Sequence, residues 1–108
     1  FENNSIEGSN SVVDRDWGRY LEDVGRANRL IIYVDSVADK SVSDTEIRTY
    51  KAQAKLFRAL AMFDMVRIFG SIPVITTIAP DITGDNVNEV YPQYFPKQAT
   101  EEEAYKQI

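Results

Sequence analysis

Residues Ser43–Thr77 read SDTEIRTYKAQAKLFRALAMFDMVRIFGSIPVITT. Ser43 followed by Glu46 has the spacing of a capping box, in which hydroxyl and carboxylate satisfy the free amides of a helix start. Ile47, Tyr50, Ala54, Phe57, Ala61, Met65 and Ile68 then recur at helical spacing, with Arg48, Lys51, Lys55 and Arg58 on other faces. Between Leu56 and Phe69 only Arg58, Asp64 and Arg67 interrupt the apolar residues, so this half is apolar all round and is expected to be enclosed by neighbours. Gly70 is the expected left-handed stop, and Pro73 prevents the helix from resuming. The β-branched run Val74-Ile75-Thr76-Thr77 suits an extended segment.

Toward the N-terminus, Trp17, Tyr20, Leu21, Val24, Ala27, Asn28, Ile31 and Val34 repeat at spacings of three and four. This predicts a helix over residues 15–38. Residues 1–14, rich in Asn, Ser and Gly, read as a loop because these side chains hydrogen-bond nearby backbone. A polar connection, Asp39 to Val42, leads into the helix predicted over 43–69. Toward the C-terminus, residues 70–99 read as turn, extended segment and a long loop punctuated by Pro80, Gly84, Pro92 and Pro96. Thr100 and Glu103 repeat the capping-box spacing, so a third helix is expected to start over 100–108. The fold class is therefore all-α: an antiparallel helical hairpin with tetratricopeptide-like packing, plus a short extended segment and a long loop. The first residues carry neither Met nor an apolar signal core, and the last break into a helical pattern. A piece of a longer protein is the expectation.

Composition removes whole classes of function. The chain has no Cys and no His, which excludes thiol nucleophiles, imidazole bases and the usual zinc sites. A net charge of −5 gives no broad attraction for phosphate backbones, so nucleic acid is not an expected partner. No apolar run approaches the roughly 20 residues needed to span a bilayer.

Several residues raise chemical questions. Asn28 lies in the middle of an apolar stripe, and a buried amide without partners costs about 1–3 kcal/mol. It is expected in a structural polar core. Asp64, between Phe57 and Ala61 on the packed face, needs a partner for the same reason. Arg67, three residues on, is the expected one, with Arg58 flanking one turn earlier. The acidic groups Glu22-Asp23, Asp14-Asp16 and Glu101 to Glu103 read as solvated helix surface or caps. They lack the facing geometry of a glycosidase pair. Asp81 to Asn88 lacks the ordered ligand positions of a calcium loop, so no metal is expected. Trp17, with Tyr20, is expected in the core. Tyr91, Tyr94 and Phe95 lie among prolines, where aromatics stack on sugar rings, anchor a protein interface or cap the core.

The run Ala52-Gln53-Ala54-Lys55-Leu56-Phe57-Arg58-Ala59-Leu60-Ala61-Met62-Phe63-Asp64-Met65-Val66-Arg67-Ile68-Phe69-Gly70-Ser71-Ile72-Pro73-Val74 resembles the hallmark segment of the SusD/RagB family, an Ala-rich helix of the type "A…FLRA…YFDLVR.FG.VPL". Trp17, Tyr20, Ala27 and Asn28 resemble that family's "W…Y…I…AN" helix, and Ala99 to Ile108 its "S.EEVY..I" helix start. This sequence has Val24 where Ile is commoner, Ala61-Met62 where an aromatic often stands, and Ser71 in place of an acidic residue or Gly.

The resemblance covers Arg15 to Ile108 and implies part of the N-terminal half of a larger SusD-like α-helical fold. It implies a non-enzymatic, surface-exposed lipoprotein of the Bacteroidetes outer membrane, with its lipid anchor and signal peptide outside this sequence. Such a protein would capture oligosaccharides, or another nutrient ligand such as a peptide, for a SusC-like TonB-dependent transporter, without a cofactor. The alternative is a tetratricopeptide-like scaffold that binds protein and no glycan. Asn3, Asn4, Asn10, Tyr91, Tyr94 and Phe95 are the expected ligand contacts, since amides and aromatic faces suit neutral sugars.

Overall fold

The computed structural model describes residues 7–37 and 41–108. Its regular elements are all helices, without a strand among the described residues, as the all-α expectation requires. Helix α1 spans Ser11–Tyr33 and passes into a 3-10 turn at Val34–Ser36. Helix α2 spans Asp44–Phe69, α3 is a single turn at Val87–Val90 continued by a 3-10 turn at Tyr91–Tyr94, and α4 spans Glu101–Gln107.

Each long helix starts where a side chain can take up its free amides. Asn10 caps α1: its Oδ1 accepts from the Val12 and Val13 amides at 3.0 and 3.4 Å. The helix therefore begins at Ser11, inside the segment expected to be loop, because an Asn cap acts before any apolar period is visible. At Ser43 the capping box is complete, the Ser43 amide donating to Glu46 Oε2 at 2.8 Å and the Glu46 amide donating back to Ser43 Oγ at 3.3 Å. The Ser43 amide first, and then the Ser43 hydroxyl, which donates to the same Oε2 at 2.8 Å, hold the Glu46 carboxyl below its ordinary pKa. Thr100 and Glu103 repeat the arrangement at α4, with the same effect on Glu103.

The ends are equally local in origin. The Ser36 hydroxyl donates to Tyr33 O at 2.7 Å and tightens the last turn of α1, and Lys51 pairs with Asp35 to tie that turn to α2. α2 stops at Gly70, whose φ of +76° is cheap only without a Cβ and whose amide donates to Val66 O at 2.9 Å.

α1 and α2 pack antiparallel, Trp17 meeting Phe69 edge-on at 4.9 Å at one end while Asp35 meets Lys51 at the other. The core is Val24 of α1, Ala61, Met62, Met65 and Val66 of α2, Ile72 after the turn and Ala104 of α4. The buried seam of α2 runs through Ala54, Arg58, Ala61, Met62, Met65 and Val66. It is rotated from the expected stripe, leaving Tyr50, Phe57 and Ile68 exposed.

One expectation about α2 fails. Asp64 is not buried and forms no pair with Arg67; the Arg67 guanidinium instead lies 5.2 Å from the centroid of the Phe63 ring. The reason is azimuth. Asp64 follows Phe57 by seven residues and shares its outward flank, whereas Arg58 falls between Ala54 and Ala61 on the seam. The neighbours expected to enclose the apolar half of α2 are not supplied by the described stretch of chain. Among the described residues nothing covers Leu56, which is 64% exposed, or Leu60 and Ile68.

Candidate functional site

The seam contains one polar cluster. Asn28 is fully buried, and its Oδ1 accepts from Arg58 Nη1 at 2.7 Å. Its Nδ2 donates to Ile75 O at 2.9 Å and Thr77 O at 3.5 Å. One amide thus joins both long helices to the extended segment after Pro73 and satisfies two of its carbonyls. Arg58, read from the sequence only as a flanking residue, is the partner that Asn28 required. The signal was its position between Ala54 and Ala61.

The segment so fixed leads to the aromatic residues. Past Pro80, Asn86 organises the chain, accepting from the Thr83 amide at 2.7 Å and donating to Asp81 O at 3.0 Å. These two bonds fold the stretch before α3 back on itself; the Asn86 carbonyl then accepts from the Val90 amide at 2.9 Å, and Val90 is buried as an anchor. The 3-10 turn at Tyr91–Tyr94 follows with Pro92 near its start, so the expected long loop contains a rigid helical knuckle.

Tyr91 and Phe95 stand side by side on that knuckle, ring centroids 5.1 Å apart and planes inclined at 57°. They are 53% and 65% exposed. The Tyr94 hydroxyl donates to Pro80 O at 2.9 Å, pinning the knuckle to the end of the extended segment. Beneath it lies a small cavity of about 150 Å³ lined by residues including Thr76, Thr77, Gln93 and Pro96. Two exposed rings held on a short, anchored turn present a paired aromatic surface to solvent.

The other expected contacts lie elsewhere. Asn10 commits its carboxamide oxygen to the start of α1, and no hydrogen bond or ring contact among the described residues joins it to the aromatic pair. Asn3 and Asn4 lie outside the described residues. No group of three acidic side chains is placed to hold a metal among the described residues.

Comparison with known proteins gives one match. A family model described as SusD-like, "Starch-binding associating with outer membrane", matches residues 2–108. No curated protein and no solved structure matches the chain.

Proposed function

This chain belongs to the SusD-like family, and from that premise we propose that it captures oligosaccharides at the cell surface and passes them to a TonB-dependent transporter. The family is one of non-catalytic, glycan-binding proteins associated with the outer membrane. The observation that carries the reading is the match over residues 2–108, nearly the whole chain.

The contact surface in this reading is the Tyr91 and Phe95 pair, with Tyr94 setting its height. Stacking a sugar ring on an exposed aromatic removes apolar surface from water on both partners. Asn10 has only its amide N–H groups left to contribute. No helix among the described residues is long and apolar enough to cross a membrane, so association by a lipid anchor belongs to the proposal, as does surface exposure.

Calorimetry with maltohexaose, combined with chromatography of the sugar afterwards, tests this reading. Saturable heat with the oligosaccharide recovered intact supports capture. Shortened products would replace it with a hydrolase. Binding to a transporter protein in pull-down with no heat from any glycan would favour the protein-binding scaffold.

A further inference from the structure

We propose that the cleft beside Trp17 is a second carbohydrate subsite, selective for neutral pyranose rings over acidic ones. It rests on the glycan-binding reading above but concerns residues that reading does not use.

The cleft measures about 550 Å³ and is lined by Asp14 and Trp17 of α1, Gly70 and Ser71 after α2, and Gln98 and Glu101 at the approach to α4. Three separate elements thus turn chemistry-bearing side chains toward one space. Trp17 is only half-buried: it packs edge-on against Phe69 and also borders the opening.

The polar groups here are unspent, unlike their counterparts elsewhere. Glu46 and Glu103 fold back into their capping boxes, and Glu102 pairs with Lys106. Asp14, Gln98 and Glu101 have no side-chain hydrogen bond or ion pair among the described residues. Glu101 is also held close to the backbone of the turn: a Cβ placed on Gly70 would stand 3.4 Å from its Oε1.

An aromatic wall beside free carboxylates and an amide matches a sugar ring, which offers an apolar C–H face and hydroxyl donors at its rim. Ionised carboxylates only accept, and hydrogen bonds to them are about twice as strong as neutral ones. A uronate or sulfate placed here would meet two like charges, so acidic glycans are rejected.

Trp17 is the sole tryptophan of the chain, so its emission reports this cleft and not the Tyr91 and Phe95 platform. The chain is titrated with maltohexaose while emission is followed, with binding measured separately by calorimetry. The expected result is a saturable emission change, weakened about tenfold in the Asp14→Asn, Glu101→Gln double variant by loss of charge-assisted bonds. Circular dichroism of that variant should match the parent, and trigalacturonate should leave emission unmoved. If calorimetry records binding that Tyr91→Ala, Phe95→Ala removes while emission stays constant, the cleft is refuted and the glycan reading survives. No heat with any glycan refutes both. An equal response to trigalacturonate or to trilysine overturns the assignment to neutral sugars.

Discussion

The two ends of the α1 and α2 pair are built from similar residues and end up in opposite states. At the end near Trp17 and Phe69, Met62, Met65 and Ile72 are buried, with Ala104 of α4 in the same core. At the other end, Leu30, Tyr50 and Phe57 border an open groove of about 380 Å³ floored by Ala27 and Ala54. Helix pairing is the same at both. What differs is the third layer, supplied at the first end by residues far along the chain and missing at the second among the described residues. An apolar stripe thus identifies a surface that needs a partner, and only tertiary arrangement decides where the partner stands.

The largest effect should come from breaking the packed end. Met65→Ala removes a fully buried side chain and should lower stability by about 2–5 kcal/mol in urea unfolding. Asn28→Leu keeps the volume but strands Arg58 and the Ile75 carbonyl, so a loss of about 1–3 kcal/mol is expected. Faster amide exchange at Ala99, whose N–H donates to Ile72 O at 2.8 Å, would mark detachment of the extended segment. Ser43→Ala removes the cap at the open end and should cost about 1 kcal/mol. The same cap has a pH signature. Because the folded-state pKa of Glu46 is lowered, its contribution is present above the ordinary glutamate range and disappears as pH falls through the depressed value. Helicity at the α2 start should fray on that acid limb. Phe57→Gln, at the open groove, should change stability by less than about 0.5 kcal/mol while reducing binding of a hydrophobic dye. A loss as large as that of Met65→Ala would show that the two ends do not differ.

The sequence announced what is encoded locally. Ser43 with Glu46, Thr100 with Glu103, and Gly70 before Pro73 each place chemistry within four residues of the boundary it sets, and the helices begin and end there. Asn10 escaped because its capping partners, Val12 and Val13, precede the regular stripe. The knuckle at Val87–Tyr94 escaped because a single α-helical turn followed by a 3-10 turn is too short to show a period. Arg58 and Asp64 exchanged roles for a geometric reason, since the seam position was set by which residues α1 presents. The Trp17 cleft was unreadable, because Asp14, Gly70 and Glu101 come together only through the docking of three elements.

The bond from Asn28 to Ile75 spans 47 positions of sequence. It makes the footing of the aromatic knuckle a property of the helix pair: the same side chain that accepts from Arg58 holds the extended segment, and Tyr94 hangs the knuckle from Pro80 at that segment's far end. Loosening α1 from α2 should therefore loosen the knuckle as well, so any ligand stacked on it would favour chains in which the helix pair is intact.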